Sequence, residues 1–265
     1  MIQARSFCFV LAFTFLSAIA HTSNAQSSIS LPLPGPDAFG NSISNTQFNL
    51  RNVEATGNNV GLDNADDSTA TQGIGFDFLF FGTSYSNVEI SSNGFLTFTP
   101  TGNAGCCSGQ SIPTAGGAIN NFIAGYWEDL APASGGVVRT QTSGLAGSRE
   151  FVVGFYDVAD LDDPVNSINT FEMILHEGTN NIELQYGQIQ FENVDDKVIG
   201  IENADGTDGL ELLFVPSTAP LNNGDLLLTN QGFLISVPAA IPEPHSALLI
   251  VGVACIAAVH RRRRF

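Results

Sequence analysis

Residues 75–98 read GFDFLFFGTSYSNVEISSNGFLTF, and their pattern is the clearest sign of secondary structure in the chain. Phe76, Phe78 and Phe80 recur at every second position, a period typical of a half-buried β-strand. Asn93-Gly94 then lies between two apolar runs, which predicts a tight hairpin with positive φ at both turn positions. The stretch therefore predicts antiparallel strands joined by short turns.

Short apolar runs between Gly, Asn, Asp and Pro continue along the chain. Further strands are predicted at 151–158, at two places within 169–189 that are joined by residues 177–181, and at 197–203, 210–214, 225–229 and 232–237. Outside residues 7–20 and 247–259, no segment keeps an apolar stripe of helical period beyond two turns. We therefore predict an all-β fold, an antiparallel β-sandwich, with 15 phenylalanines between residues 26 and 243 supplying much of its core.

The N-terminal residues have the pattern of a secretory signal peptide. Arg5 precedes an apolar run from Phe7 to Ala20, and Ser23-Asn24-Ala25 places small residues before a cleavage position. This predicts a signal peptide over residues 1–25, with cleavage after Ala20 as an alternative, and hence export of the chain.

The C-terminal part combines an uncharged apolar run with a basic cluster. As a helix at about 1.5 Å per residue, residues 247–259 would span roughly 20 Å, against a bilayer core about 30 Å thick. The basic cluster, which stays on the cytoplasmic side of a membrane, comprises Arg261, Arg262, Arg263 and Arg264. Residues 246–260 therefore predict a short transmembrane helix, which serves either as a plain anchor or as part of a sorting signal.

Pro242-Glu243-Pro244, the apolar run and the arginine cluster together resemble the PEP-CTERM sorting signal of Gram-negative bacteria. The resemblance implies that a membrane-embedded exosortase recognises Pro242, Glu243 and Pro244 and removes the tail beyond them. It implies two partners, the exosortase and, transiently, the inner membrane through residues 246–260. Before processing the chain would be membrane-anchored, and afterwards it would lie at the cell surface or in the extracellular matrix.

The charge of the exported part is strongly negative. All 26 Asp and Glu residues lie between residues 26 and 243, against only four basic residues, Arg51, Arg139, Arg149 and Lys197, which leaves a net charge of −22. A surface of this kind repels nucleic acid and attracts divalent cations, so we expect no nucleic-acid partner.

Three acidic loops are candidates for calcium binding, because calcium prefers carboxylate and carbonyl oxygens. Their acids are Asp63, Asp66 and Asp67 in the first loop, Asp160, Asp162 and Asp163 in the second, and Asp205 and Asp208 in the third. None of the loops has the EF-hand spacing. Solvated turns are the alternative, because Asp and Asn are common in turns for backbone reasons.

The adjacent cysteines Cys106 and Cys107 lie in a segment rich in Gly and Ser. In an oxidising compartment they predict a local disulfide, and crosslinking to another chain is the alternative. Two thiols without a second pair of ligands make a poor zinc site.

Catalysis has little support in the sequence. His176 is expected to be an ordinary exposed histidine at a hairpin end. Glu128-Asp129 could serve glycoside hydrolysis, but adjacent residues of a strand point to opposite faces, so this pair alone cannot flank one bond. We expect Trp127 to pack in the core and the two acids to cap the following turn, and we predict that the chain is not an enzyme.

The middle of the chain resembles nidogen-like domains of bacterial surface proteins. The resemblance lies in DNADDSTATQGIGFDFLFFGTSYSNVEISSNGFLTF (63–98), IPTAGGAINNFIAGYWEDLAP (112–132), REFVVGFYDV (149–158), TFEMILHEGTNNIELQYGQI (170–189) and VIGIENADGTDGLEL (198–212). It implies an extracellular β module associated with adhesion and matrix. The predicted organisation is a signal peptide (1–25), an extension with the first strands (26–62), a nidogen-like β-sandwich (63–215), a last strand and linker (216–241) and the sorting signal (242–265).

These features predict an exported, exosortase-processed structural or adhesion protein without enzymatic activity. Its predicted partners outside the cell are exopolysaccharide or other surface proteins. Two alternatives are a calcium-dependent carbohydrate-binding module and a secreted polysaccharide hydrolase. The lectin would require calcium at its sugar site, and the hydrolase would require two acids that converge in a cleft.

Overall fold

The structure is a computed structural model, and it describes residues 31–192, 194–222 and 225–238. The predicted signal peptide at 1–25 and the predicted sorting signal at 242–265 lie outside these residues. Within the described part of the chain, no helix is both long enough and apolar enough to cross a membrane.

The described residues form thirteen β-strands and one short 3-10 helix, Pro132–Ser134. The strands are β1 (Ser42–Thr46), β2 (Asn58–Asn59), β3 (Thr69–Phe80), β4 (Thr83–Ser91), β5 (Phe95–Thr97), β6 (Phe122–Trp127), β7 (Val137–Ser143), β8 (Glu150–Ala159), β9 (Ile168–His176), β10 (Ile182–Gln190), β11 (Lys197–Glu202), β12 (Gly209–Val215) and β13 (Leu226–Ser236).

The strands form two sheets, and every pair of neighbouring strands is antiparallel. One sheet has the order β1-β13-β10-β9-β8-β7-β2, and the other has the order β12-β11-β6-β5-β4-β3. The prediction of an all-β fold built from antiparallel strands is therefore confirmed.

The main core lies between the two sheets and is rich in aromatic residues. Phe78 of the six-stranded sheet is fully buried in one cluster with Phe155 and Phe171 of the seven-stranded sheet. The rings of Phe155 and Phe171 stack with centroids 4.7 Å apart. The Tyr186 hydroxyl crosses the core and donates a hydrogen bond of 2.7 Å to the Gly125 carbonyl. The two inner faces thus share one core, as in a β-sandwich.

The alternating phenylalanines lie on β3 as predicted, since Phe76, Phe78 and Phe80 are buried and the residues between them are exposed. The strands predicted at 151–158 and within 169–189 are also found, as β8, β9 and β10. The runs at 225–229 and 232–237, which were predicted as two strands, form the single strand β13, so that prediction was wrong. Asn230 adopts a positive φ of 50° within β13, and the strand continues through it.

The Asn93-Gly94 hairpin is present between β4 and β5, but its turn differs from the prediction. Only Gly94 has a positive φ, of 80°, because three residues rather than two connect the strands. The turn with positive φ at both positions lies in the preceding hairpin, between β3 and β4. There Phe81 has a φ of 43° and Gly82 a φ of 78°, as two-residue hairpin turns require.

Candidate functional site

Three loops at one end of the sandwich bring six acids together. Each loop supplies one acid to an inner layer and one to an outer layer. The inner layer is Glu128, Asp160 and Glu192, and the outer layer is Asp129, Asp162 and Asp195; we call the six residues the acidic centre. These acids lie within five residues of the C-terminal ends of β6, β8 and β10. Backbone contacts hold the first two loops together, including a bridge between Leu130 and Asp160 and a hydrogen bond of 2.9 Å from Leu161 N–H to the Asp129 carbonyl.

The inner layer is buried. Glu128, Asp160 and Glu192 are each at most 1% exposed, and one carboxylate oxygen of each lies within 4.8 Å of the others. The Glu192 oxygens accept backbone N–H bonds from Val194 and Asp195, at 2.6 and 3.0 Å. Bonds of this kind hold a carboxylate rigidly in place.

The carboxylate of Glu128 lacks such support. Neither of its oxygens has a hydrogen-bond partner, and Asp160 Oδ2 also has none. Burial raises the pKa of Glu128 well above its usual value, and the neighbouring Asp160 carboxylate raises it further. These two side chains could form a hydrogen bond only if one of them carried a proton, because two ionised carboxylates have no donor.

Lys197 provides the positive charge of the inner layer. The side chain is fully buried, and its ammonium contacts Glu192 and lies 3.7 Å from Glu128 Oε2. The ammonium also lies 5.2 Å from the centroid of the Phe191 ring. The ammonium thus lies beside two of the three inner-layer carboxylates, and an aromatic face also attracts it.

The outer layer reaches from the interior to the surface. Asp129 is 4% exposed and Oδ1 of its side chain has no hydrogen-bond partner, whereas Asp162 is exposed and Asp195 is intermediate. One carboxylate oxygen of each lies within 4.8 Å of the other two. Burial, and then the negative charge of Asp67, raise the pKa of Asp129 to about 7.

The basic side chains of the described residues form their ion pairs elsewhere. Their partners are Glu150 and Glu183 for Arg51, Asp63 for Arg139, Glu177 for Arg149, and Glu192 and Glu128 for Lys197. His176 lies 3.1 Å from Glu183 and 3.5 Å from Glu150. Within the described part of the chain, the outer layer therefore has no ion pair with a basic residue.

A second feature is a groove at the opposite end of β6. The groove has a volume of about 590 Å³ and combines aromatic rings with amide and carboxylate groups, among them Phe39, Phe81, Tyr85, Asn121, Asn203 and Asp205. The Asp208 carboxylate orders its rim by accepting the backbone N–H groups of Ala38 and Phe39, at 2.9 and 2.7 Å. Aromatic faces beside polar groups are typical of surfaces that bind small polar ligands.

Phe81 occupies an unusual position at this groove. Its backbone is left-handed, which is disfavoured for a bulky residue. The ring lies between Phe39 and Phe80, with centroid distances of 5.4 and 4.9 Å. Asn is much more common than Phe at the first position of such a turn, so the aromatic ring is present despite a backbone cost.

Comparison with known proteins identifies the domain that contains both features. The family model described as NIDO related, that is nidogen-related, matches residues 41–224, more than half of the chain. The chain belongs to the nidogen-related family. Searches of the curated proteins and of the solved structures find no match. The nidogen-related match includes β1 to β12, the acidic centre and most of the groove, whereas β13 follows it.

Within the nidogen-related domain, the acids predicted to bind calcium are in different environments. Asp160 and Asp162 join the acidic centre, and a carboxylate oxygen of Asp67 lies within 4.8 Å of one of Asp129. Asp63 instead forms an ion pair of 2.7 Å with Arg139. Asp205 accepts a hydrogen bond of 2.6 Å from the Thr207 hydroxyl at the groove.

The remaining predicted ligands are also accounted for. Both oxygens of Asp208 accept backbone N–H groups at the rim of the groove, and the Asp163 carboxylate accepts bonds from Asn166, one of them at 3.0 Å. Asp66 is exposed, and its charge contributes to the raised pKa of Asp129. The structure thus brings acids of the first two predicted loops to the acidic centre. The third loop lies at the groove, at the opposite end of β6.

The sequence interpretation missed Glu192, Asp195 and Lys197 as members of the centre. A signal was present, since each of the three loops begins with acids within five residues of the end of an apolar strand. The expected caps at Glu128 and Asp129 are not formed: neither Glu128 oxygen nor Asp129 Oδ1 has a hydrogen-bond partner. The reason is that both side chains turn toward the other loops.

Trp127, Cys106 and Cys107 lie beside the acidic centre in the nidogen-related domain. Trp127 is 3% exposed, as expected for a core residue, and its indole N–H donates a bond of 2.9 Å to the Gly105 carbonyl. Cys106 and Cys107 are exposed and joined by a disulfide. His176 is half-buried and paired with glutamates rather than exposed as predicted.

Proposed function

We propose that this chain is an exported, exosortase-processed component of the cell surface or extracellular matrix, in which the nidogen-related domain has a structural or adhesive role. The observation that carries the proposal is the nidogen-related match over residues 41–224, because this family suggests an extracellular β domain. The acidic composition of residues 26–243 is in keeping with this location, since net charge keeps an exported protein soluble.

The sequences of the two termini support export followed by processing at the membrane. Residues 1–25 would direct the chain across the inner membrane, and Arg261 to Arg264 would hold the tail with its end in the cytoplasm. Pro242-Glu243-Pro244 would then face the exosortase on the outer side. Cleavage there would release the nidogen-related domain from the membrane.

A non-enzymatic role is supported by the burial of the acids. Glu128 and Asp160 are at most 1% exposed, so a polysaccharide chain has no access to a pair of carboxylates there. Trp127, which could otherwise stack on a sugar, packs against Phe95 and Phe122 at centroid distances of 4.6 and 5.3 Å. Glycoside hydrolysis requires both acids to flank a bond of the substrate.

The experiment is a measurement of the intact mass of the native protein from the cell-surface and medium fractions of its host. We expect a C-terminus near Glu243, and any added mass will identify what the protein is joined to. Replacing Pro242, Glu243 and Pro244 by alanine should leave the chain at full mass in the membrane fraction.

The matched control replaces His245 and Ser246, which directly follow the motif, by alanine and should be processed normally. A normal mature mass for the triple-alanine variant would refute the sorting proposal. Full-length mass of the native protein would show that the tail is only an anchor.

A second candidate function, carbohydrate binding, is favoured by the groove that contains Phe81. A ring held at a turn with positive φ, beside Asn203 and Asp205, offers a stacking face and hydrogen-bonding groups together. Exopolysaccharide is the ligand class that this chemistry fits, because sugars present both C–H faces and hydroxyl groups. Such binding would supply the adhesive role at molecular level.

A further inference from the structure

The outer layer of the acidic centre concentrates negative charge, and no basic side chain of the described residues forms an ion pair with its carboxylates. Asp129, Asp162 and Asp195 form a compact set, and the basic side chains of the described residues are paired elsewhere. Asp67 adds a fourth carboxylate beside the outer layer, with an oxygen within 4.8 Å of one of Asp129. Buried charges in proteins are normally paired or coordinate a metal.

A second observation points to a ligand independently of the clustering. Asp129 is 96% buried, its Oδ1 has no hydrogen-bond partner, and its carboxylate faces those of Asp162 and Asp195. An unpartnered buried carboxylate oxygen is costly, because nothing replaces the water that it loses on folding. The Asp129 carboxylate therefore has an oxygen that is free to bind a ligand from outside the chain.

We propose that the outer layer binds a divalent cation of the calcium class, with Asp129, Asp162 and Asp195 as ligands and water completing the coordination shell. Calcium binds oxygens at about 2.3 to 2.6 Å, so two ligands of one ion lie at most about 5 Å apart. The 4.8 Å limit that contains the three oxygens satisfies this condition. Asp162 is exposed, which gives the ion and its water molecules a path from solvent.

The inner layer is a different environment and is not the ion site. The Lys197 ammonium already contacts Glu192 and lies 3.7 Å from Glu128, so it occupies the place of a cation there. Its presence fixes the position of the loop after β10, since the ammonium also contacts the Asp195 carbonyl. Lys197 thus helps to present Asp195 to the outer layer.

The ion would join parts of both sheets. Asp129 follows β6 of the six-stranded sheet, whereas Asp162 follows β8 and Asp195 follows β10, both of the seven-stranded sheet. One ion bound to all three loops would close this end of the sandwich. Stabilisation of the folded state by mass action is the expected consequence.

The site is separate from the groove. Asn121 of the groove precedes β6 and Glu128 of the acidic centre follows it, a distance of about 23 Å at 3.3 Å per residue. An ion in the outer layer therefore cannot also contact a ligand in the groove. The proposed role of calcium is structural, in contrast to a lectin whose calcium bridges to the sugar.

The test measures the thermal midpoint of the full-length chain in mild detergent, first in excess chelator and then with calcium added. At calcium 100-fold above its dissociation constant, we expect the midpoint to rise by about 5 to 10 °C. Terbium provides a second readout, because its luminescence is sensitised by nearby tryptophan and Trp127 is the single tryptophan of the chain. Calcium should displace the terbium and remove that signal.

Asp129→Asn and Asp162→Asn should each abolish the calcium-induced rise and the terbium signal. In chelator, Asp129→Asn should melt at or above the wild-type midpoint, because the substitution removes a buried uncompensated charge. A missing response of this variant to calcium would therefore not be due to misfolding. Asp205→Asn, in the loop at the groove, is the matched control and should respond like the wild type. Equal wild-type midpoints in chelator and calcium, a full response in Asp129→Asn, or a lost response in Asp205→Asn would each overturn the proposal.

Discussion

Glu128 and Asp129 show how one pair of residues divides a cluster of acids into two environments. Successive side chains of an extended backbone point in opposite directions, and here one faces Asp160 and the other faces Asp162. The inner layer contains the buried ammonium of Lys197, and the outer layer has no ion pair with a basic side chain of the described residues. In the sequence, the same opposite directions already indicated that these two residues alone cannot flank one glycosidic bond, and the directions also explain why the two residues belong to separate layers.

The sequence identified the acid-rich loops but not the role of each carboxylate. Asp63 and Asp67 lie four residues apart in one loop, yet the first is paired with Arg139 and the second borders Asp129. These partners are more than 60 residues distant along the chain, so local pattern contains no information about them. Turn composition predicts where acids are exposed, whereas pairing depends on the fold.

Glu202 on β11 allows a prediction about pH. Its side chain is fully buried, and burial raises its pKa to about 7 although it accepts a bond of 2.6 Å from Thr114 N–H. The unfolded value is about 4.3, so the folded state binds the proton more tightly. The resulting stabilisation is complete below the unfolded pKa and is lost as pH rises through 7.

Glu202→Gln should therefore flatten the fall in the free energy of unfolding between pH 5 and pH 8. The amide oxygen can still accept the Thr114 bond, and at pH 8 we expect the variant to be more stable by on the order of 2 kcal/mol. Urea denaturation at both pH values measures this. Glu211→Gln is the control, because it removes the same charge from β12 at a half-buried position and keeps an acceptor for Ile112 N–H. Parallel pH profiles for wild type and Glu202→Gln would contradict the prediction.

At the scale of elements, strands with a strict period were predictable and turns were less so. The alternation on β3 is a local property, since every second side chain faces the core. The turn at Asn93-Gly94 was placed correctly but has three residues, and the Asn93 side chain within it is buried and donates to Asp67 Oδ1 at 2.9 Å. Turn type depends on such contacts as well as on the dipeptide.

The β3–β4 hairpin leads to a prediction about the groove. Phe81→Asn replaces a residue that is disfavoured at this backbone conformation by one that is preferred there. The loss of ring contacts destabilises the fold and the relief of backbone strain stabilises it, so we expect the thermal midpoint to stay nearly unchanged. Binding to polysaccharide should fall, because the stacking face is removed. Affinity electrophoresis in gels that contain exopolysaccharide of the host measures the binding.

Leu79→Asn is the matched control for this variant. Leu79 is 43% exposed on the same hairpin and does not line the groove. Its substitution removes exposed apolar surface from the same hairpin and should leave retardation in the gel unchanged. Equal retardation of wild type and Phe81→Asn would argue against carbohydrate binding in the groove.

At the scale of the whole molecule, the class of fold was predictable and the strand order was not. Alternating apolar residues and turn residues indicate an antiparallel β protein, because both signals are local. The convergence of the loops after β6, β8 and β10 depends on which strands become neighbours, and these strands are distant in sequence. The same holds for β1 and β13, which pair although they lie at opposite ends of the described chain.

The position of β13 leads to a prediction about the minimal folding unit. The family match ends at residue 224, but β13 lies between β1 and β10 and pairs with both. It also buries Phe233 and Ile235 in the main core. A chain that ends at 224 would lose this burial and expose the edge of β10, which favours aggregation.

We therefore expect residues 26–238 to unfold in one cooperative transition and residues 26–224 to be insoluble or to lack a transition. Calorimetry and size-exclusion chromatography of the two fragments measure the difference. The shorter fragment contains the whole family match, the acidic centre and all the residues that line the groove, so its failure would be due to the missing strand. Cooperative unfolding of the fragment that ends at 224 would contradict the prediction, because it would show that β13 is not required for a cooperative fold.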